Sequence, residues 1–249
     1  MNRILIKNAT VINEGKSFIS DVYIEDDKIL SIEKSISSKH PDTHIINADG
    51  LHLIPGMIDD QVHFREPGLT HKENIETGSK AAVAGGITSY IEMPNTQPQT
   101  VTIEELEKKF AKAAETSWAN YSFMMGGTND NLEEILKVDE KKVAGLKLFL
   151  GSSTGNMLVD DEKVLEKIFS KTPLLISVHC EDEQIIQENT KRYTEEYNGD
   201  IPVEKHPDIR SAEACYASSS KAIALAKKTG ARLHVFHVST GIETELFSN

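Results

Sequence analysis

The strongest constraint on the fold is an alternation of apolar strands with helix-forming segments, which begins at Pro55. Six segments have the composition of strands: GMIDDQVHF, ITSYIEM, NYSFMMG, VAGLKLFL, LLISVHC and RLHVFHV. Helices are predicted between them near residues 73–84, 103–116, 130–138, 160–170 and 212–229, the last capped by Gly230. This alternation predicts a parallel α/β fold. Because a closed (β/α)8 barrel needs eight strands, six units indicate either an open sheet or an incomplete barrel.

Residues 1–54 have a different pattern. Their apolar and polar residues alternate with a period of two, and the runs break at NEGK, DD and ADG. This predicts a small antiparallel β domain over 1–54, followed by the α/β domain over 55–249. A single small sheet is marginally stable by itself and needs a surface to pack on.

Charge and composition exclude several classes of partner. The 249-residue chain has a net charge of −12 and no long basic run, which argues against nucleic acid. Two cysteines, Cys180 and Cys215, are too few for a disulfide framework and are expected to be buried apolar residues. The N-terminus lacks the pattern of a signal peptide, and no apolar run is long enough for a membrane span. A cytoplasmic protein with neither a membrane nor a nucleic-acid partner is expected.

Polar residues recur where the predicted strands end. They are His63 and Arg65 after the first strand, Asn95 after the second, Lys147 in the fourth, His179 in the fifth and His237 in the sixth. In parallel α/β folds, functional sites collect at the carboxyl ends of the strands. The pattern therefore predicts one site built from these side chains.

Lys147 is the most unusual of these residues. Alternation in VAGLKLFL puts Lys147 on the interior face, opposite the leucines on either side of it. A buried lysine tends to lose its proton. A neutral amine can add carbon dioxide and become a carbamate, an anionic oxygen ligand able to bridge two metals. The alternatives are a lysine paired with a carboxylate and a lysine that reaches solvent.

His179 and His237 both end apolar strands. Neutral imidazole is a common zinc ligand, whereas a single strand-end histidine is more often a hydrogen-bonded core residue. Two at equivalent positions, together with His63, favour a metal site. His234 lies three residues from His237 and is expected to face the helices as a structural residue. No such pattern applies to His40, His44, His52, His71 or His206.

Arg65 and Asn95 suggest an anionic substrate. Arginine binds carboxylates through paired hydrogen bonds, and asparagine can add a donor. The alternatives are an ion pair between Arg65 and Glu66, and a turn role for Asn95 after Pro94.

With these motifs in order, the chain resembles the dihydroorotase family of the amidohydrolase superfamily. The motifs are PGMIDDQVHFREPG, ETGSKAAVAGGIT, EMPNT, GLKLFLGSSTGN, VHCEDE and LHVFHVST, and the match runs from Ile4 to the last residue. The resemblance implies a metal-dependent (β/α)8 TIM-type barrel beside a small β domain, with about the first six barrel units in this chain. It also implies reversible hydrolysis of dihydroorotate to N-carbamoyl-aspartate in pyrimidine biosynthesis.

The resemblance also implies roles for individual residues. His63 matches the second histidine of an HxH motif, and Lys147 matches a carboxylated lysine. His179 and His237 match the ligands of a second metal, so that one or two zinc ions are expected. Arg65 and Asn95 match residues that hold the substrate carboxylate. Some relatives use an aspartate a few residues after the lysine, where this chain has Ser152 and Ser153.

Two departures from the family pattern affect the expected activity. Gln61 replaces the first histidine of HxH, and an amide oxygen is a poorer zinc ligand. The first metal position is therefore expected to be weak or empty, while the second, built from Lys147, His179 and His237, fills. The family's late aspartate, both ligand and general base, would lie beyond Asn249, so no catalytic residue is assigned. The 249-residue chain alone is expected to have little activity and, with an open barrel edge, to associate.

Other functions stay open at this point. One is a hydantoinase-like or allantoinase-like cyclic amidohydrolase, although Arg65 favours a substrate that carries a carboxylate. Another is a non-catalytic homologue that acts as a structural partner, for example of aspartate transcarbamoylase. A homodimer is also compatible with the sequence.

Overall fold

The computed structural model describes residues 2–37, 40–151 and 157–247. The chain forms two compact units, Met1–Met57 and Ile58–Asn249, whereas the sequence predicted the change of fold after residue 54. The predictions that concern Ser152, Ser153 and Asn249 lie outside the described residues.

The first unit is a five-stranded sheet. Its strands are β1 (Arg3–Asn13), β2 (Lys16–Glu25), β3 (Lys28–Glu33), β4 (His44–Asn47) and β5 (His52–Leu53). The order is β3-β2-β1-β4, and β5 also pairs with β1. Strands β1, β2 and β3 are antiparallel, but β4 and β5 run parallel to β1. The prediction of a wholly antiparallel unit is wrong because the chain after β3 returns to the opposite side of β1.

The second unit is an α/β domain with a curled six-stranded sheet. Its strands are β6 (Met57–Val62), β7 (Ile87–Glu92), β8 (Asn120–Gly126), β9 (Gly145–Phe149), β10 (Ile176–His179) and β11 (Leu233–Val235). They lie in chain order, and the pairs from β7 to β11 are parallel. The sheet therefore forms part of a barrel wall, with a strand in each of the six predicted segments.

Seven helices accompany this sheet in the part of the chain that the structure describes. They are α1 (Ile75–Ala84), α2 (Ile103–Thr116), α3 (Leu132–Ile135), α4 (Glu162–Lys171), α5 (Glu183–Glu196), α6 (His206–Ile209) and α7 (Ala212–Thr229), with 3-10 turns at Val203–Lys205 and Ile242–Leu246. Capping fixes several ends: Asp182 caps α5, Ser211 caps α7, and Gly230 ends α7 at φ 74° as predicted. Over the described part of the chain, none of the helices is both long and apolar enough to cross a membrane.

Strand alternation separates two apolar layers in this unit. Leu146, Leu148 and Val178 belong to the large core that packs under the helices. Met93, Met124 and Phe236 form a smaller cluster on the other face of the sheet. Lys147 on this second face is fully buried, with its Nζ 4.2 Å from the Phe236 ring centroid, so a charge on it is poorly solvated.

A buried ion pair joins α2 to the end of β7. Lys109 Nζ of α2 is 2.6 Å from Glu92 Oε2 at the end of β7, and both side chains are almost fully buried. Lys109 Nζ also donates to the Met93 carbonyl oxygen at 3.1 Å. Helix α2 is thereby tied to the backbone immediately before Asn95.

Candidate active site

The two predicted strand-end histidines lie side by side. His179 ends β10 and His237 follows β11, and these strands are parallel neighbours. The distance between His179 Nδ1 and His237 Nε2 is 3.1 Å, and the ring centroids are 4.9 Å apart. Val178 pairs with Val235, so His237 lies one residue beyond the position opposite His179, and the two rings meet just past the strand ends.

The chain changes direction at His237, which has a φ of 37°. Leu233 and Val235 pack against the core under the helices, whereas Phe236 belongs to the cluster on the opposite face. The His234 ring contacts Phe236, with centroids 4.7 Å apart. The expectation that His234 faces the helices is therefore wrong, because strand alternation cannot be extended through a residue in the left-handed region.

Lys147 lies beside this histidine pair on the interior face of β9. Its side chain is fully buried, and among the described residues its Nζ has no hydrogen-bond partner. Nζ lies 4.2 Å from the Phe236 ring centroid and 5.0 Å from that of Phe149. Burial lowers the pKa of Lys147 to about 7, against a smaller opposing effect of the Cys180 thiol. A large fraction of the amine is therefore neutral near pH 7, and the described residues offer it no carboxylate partner.

His63 adds a third imidazole, from the loop after β6. Its Nδ1 is 2.9 Å from Asn95 Oδ1, which leaves Nε2 as the nitrogen able to hold a ligand. Burial, followed by the positive charge of Arg65, lowers the pKa of His63 to about 4. Lys147 and His237 contribute to the same shift, so all three groups lie within electrostatic reach of one another. His63 is therefore uncharged at neutral pH, as a metal ligand must be.

Whether the histidine pair can hold a metal ion depends on Lys147. Within residues 2–37, 40–151 and 157–247, no three His, Cys, Asp or Glu side chains converge to hold a metal. His179 and His237 supply two imidazoles, and the amine of Lys147 is the interior group near them. Gln61 precedes His63 by two residues, and its backbone N–H donates to Asp59 Oδ1 at 3.1 Å. Metal binding at the histidine pair thus requires a further anionic donor.

Two polar residues next to this histidine pair were not predicted: Glu181, which contacts His179, and Arg210, which contacts Glu181. Glu181 Oε2 lies 2.6 Å from His179 Nε2, and Arg210 Nε donates to Glu181 Oε1 at 2.8 Å. A second Arg210 nitrogen bonds Glu181 Oε2. Burial alone would raise the pKa of Glu181, but the hydrogen bonds from His179 and Arg210 outweigh it and hold the pKa below its usual value. Glu181 could have been found by extending the period of two past His179, whereas Arg210 lies 29 residues further along the chain.

Arg65 follows β6 in a left-handed conformation, with a φ of 65°. Glu66, the alternative partner considered above, accepts the Ile75 backbone N–H at 2.9 Å and lies 3.9 Å from Lys112 Nζ. No acidic side chain of the described chain forms an ion pair with Arg65. Among the described residues, the Arg65 guanidinium therefore has no acidic partner. Its positive charge lowers the pKa of His63.

A cavity of about 450 Å³ opens beside His179 and His237. Its polar lining includes Glu181, His206, Arg210, Ser239, Thr240 and Glu243. The volume is within the range typical of small-molecule sites. A larger cavity of about 550 Å³ lies among α4, α5 and α7, but neither histidine lines it.

Comparisons with known proteins agree on one family. The dihydro-orotase-like family matches residues 50–243. A dihydroorotase of Methanosarcina acetivorans is 33% identical over 244 residues, which is 96% of this chain and 51% of that protein. An allantoinase of Salmonella paratyphi B is 32% identical over 253 residues, covering 96% of this chain and 54% of that protein.

Solved structures show the same architecture. The L-hydantoinase from Arthrobacter aurescens superposes with a TM-score of 0.90 at 28% identity, covering 99% of this chain and 55% of that one. A dihydropyrimidinase from Brevibacillus agri superposes with a TM-score of 0.81 at 27% identity, covering 98% and 53%. The chain thus spans about half the length of the relatives it matches. It belongs to the dihydro-orotase-like family of cyclic amidohydrolases.

Proposed function

We propose that the protein is a zinc-dependent dihydroorotase, which reversibly hydrolyses the cyclic amide of dihydroorotate to N-carbamoyl-aspartate in pyrimidine biosynthesis. The observation that carries this proposal is the buried, unpartnered amine of Lys147 beside the imidazole pair of His179 and His237. Membership of the family and the similarity to a dihydroorotase support it.

The histidine pair fits a zinc ion. His179 Nδ1 and His237 Nε2 are 3.1 Å apart. Two nitrogens on a tetrahedral zinc, each about 2.0–2.1 Å from the ion, lie roughly 3.3 Å apart. The two rings would therefore need little movement to bind one ion. We assign this pair, with Lys147, to the second metal position expected from the resemblance, and His63 and Gln61 to the weaker first position.

Lys147 supplies the anionic donor in this proposal. Carbon dioxide adds to the neutral Nζ, a proton leaves, and the product is a carbamate with one negative charge. A pKa of about 7 makes the neutral amine available near neutral pH. Burial destabilises the ammonium form, and among the described residues no carboxylate bonds to Nζ to offset this effect.

In this proposal, the other side chains of the site bind the substrate and orient the metal ligands. A bound zinc ion lowers the pKa of water to about 7 and polarises a carbonyl oxygen, which a ring amide needs for hydrolysis. The guanidinium of Arg65 would hold the substrate carboxylate through paired hydrogen bonds. Asn95 would keep the His63 ring in place through the contact between its Oδ1 and His63 Nδ1.

A second candidate function is hydrolysis of hydantoin or allantoin. Its support is the high structural similarity to an L-hydantoinase and the sequence similarity to an allantoinase. The uncommitted Arg65 favours a carboxylate-bearing ring instead. A non-catalytic role as a partner of aspartate transcarbamoylase, and a homodimer, remain further proposals that zinc binding and oligomeric state would test.

Replacement of Arg65 by methionine is expected to raise KM for dihydroorotate roughly 10–100-fold, with a smaller change in kcat. The reason is the loss of a charge-assisted bond worth about 1.5–3 kcal/mol. Steady-state hydrolysis of dihydroorotate, hydantoin and allantoin by the zinc-supplied intact protein measures this. Arg192→Met, at an exposed position against the Tyr193 ring, is the matched control.

The same substrate panel tests the proposed function. Dihydroorotate should have the highest kcat/KM, and its advantage over hydantoin should shrink in Arg65→Met. Turnover of hydantoin or allantoin without turnover of dihydroorotate would show that the substrate assignment is wrong.

A further inference from the structure

A carboxylate that is itself bonded by a guanidinium contacts the outer nitrogen of His179. Glu181 Oε2 is 2.6 Å from His179 Nε2, and Arg210 bonds both oxygens of the same carboxylate. Glu181 is only 7% exposed. A buried carboxylate held from both sides in this way has little freedom to turn.

This arrangement determines which ring nitrogen carries the proton. An ionised carboxylate can only accept hydrogen bonds, so His179 Nε2 must carry the hydrogen that lies between them. In the neutral ring, Nδ1 then bears the lone pair. Nδ1 is the atom 3.1 Å from His237 Nε2, on the side of the proposed metal position.

Arg210 is held in turn by the helices around it. It directly follows α6, and its backbone N–H donates to the His206 carbonyl oxygen at 3.0 Å. The Ile209 carbonyl oxygen accepts a hydrogen bond from Asn189 Nδ2 of α5 at 3.2 Å. The guanidinium therefore projects from a short, anchored segment.

We propose that Glu181 and Arg210 form a positioning pair for His179. Arg210 orients the Glu181 carboxylate, and Glu181 fixes the tautomer and rotation of the His179 ring so that Nδ1 faces the metal position. The proposal rests on the proposed metal site, since it assigns the pair a role toward a ligand of that site. Neither residue is proposed to touch the substrate.

Removal of the pair should weaken zinc binding without removing a ligand. Loss of an outer partner of a metal-binding histidine typically costs roughly 10–100-fold in metal affinity. We expect a loss in this range for Glu181→Gln, because the amide carries no charge and can itself donate to Nε2. We expect a smaller loss of zinc affinity for Arg210→Met. For Arg210→Lys, which keeps the positive charge, we expect a zinc affinity close to that of wild type.

The experiment has two readouts on the intact protein. The tautomer of His179 is read from ¹⁵N shifts in the zinc-free protein, and zinc affinity from competition with a chelator. Wild type should show a protonated Nε2 and a bare Nδ1, and Glu181→Gln should show a mixture of tautomers. Glu166→Gln, which breaks a surface ion pair with Lys228 on α7, should change neither. Thermal melting identifies any variant that fails to fold. If Glu181→Gln fails to fold, Arg210→Met and Arg210→Lys provide the comparison.

Two results would overturn the proposal. One is an unchanged tautomer and unchanged zinc affinity in folded Glu181→Gln or Arg210→Met. The other is a raised KM with unchanged zinc affinity in Arg210→Met, which would make Arg210 a substrate contact. A protein that binds no zinc at all would contradict the proposed function. The tautomer in the zinc-free protein would still decide whether Glu181 positions His179.

Discussion

Lys147→Met is expected to abolish hydrolysis while leaving the protein at least as stable as wild type. The loss in kcat/KM should be at least roughly 1,000-fold, or about 4 kcal/mol, because no carbamate can form. Stability should hold because methionine fills the same interior space without a buried amine. A residue that mattered only for packing could not give this combination.

The difference in the free energy of unfolding between wild type and Lys147→Met should also depend on pH. The pKa of Lys147 falls from 10.5 in a solvated chain to about 7 in the folded protein. Between these values the unfolded chain binds more protons than the folded one, so the stability of wild type rises with pH across this interval. Below about pH 7 the full penalty applies, on the order of 5 kcal/mol. The advantage of Lys147→Met should therefore be largest below pH 7 and shrink towards pH 10.5.

Urea unfolding in zinc-free buffer purged of carbon dioxide measures this difference, and steady-state kinetics measure the loss of activity. Lys142→Met, at an exposed position shortly before β9, is the matched control and should change neither quantity. Bicarbonate should restore activity to carbon dioxide-depleted wild type but not to Lys147→Met. Native-like turnover by Lys147→Met would show that the lysine is not the anionic donor.

Gln61→His is expected to add a second tightly bound zinc ion. Position 61 lies in β6, two residues before His63, which directly follows this strand. Residues two apart in an extended segment share a side, so the new imidazole should point to the same side as His63. Imidazole is a better zinc ligand than an amide oxygen. The first metal position should therefore bind zinc at least roughly 10–100-fold more tightly, the range typical of changes to the hydrogen-bond partners of metal ligands.

Zinc titration of wild type and Gln61→His measures the change, with Gln61→Leu as the control. Gln61→Leu removes the amide and should leave the tight zinc ion in place, because the second position does not use Gln61. Loss of that ion from Gln61→Leu would show that Gln61 is a ligand of the occupied site.

Sequence patterns predicted the parts of the site that depend on strand alternation. The interior direction of Lys147 follows from alternation in β9, and the approach of His179 to His237 follows from their places at the carboxyl ends of neighbouring strands, although the register offsets them by one residue. The prediction for His234 failed because His237 leaves the strand conformation, which periodicity cannot reveal.

Contacts between distant segments account for what the sequence could not predict. The period of two in β10, extended past His179, could have identified Glu181. Its partner Arg210 comes from the segment after α5, whose placement depends on tertiary packing. In the first unit, the parallel direction of β4 depends on the path of the chain after β3. A pattern of alternating residues indicates a strand but not its direction.

Zinc content per chain, measured for the intact wild-type protein and for His179→Ala, tests the central claim most directly. The account predicts one tightly bound zinc ion in wild type and its loss from His179→Ala, since His179 Nδ1 faces the second metal position. His71→Ala, which replaces an exposed loop histidine, should retain the ion. A wild-type protein without zinc, or a His179→Ala variant that keeps it, would contradict the account and favour a non-catalytic role.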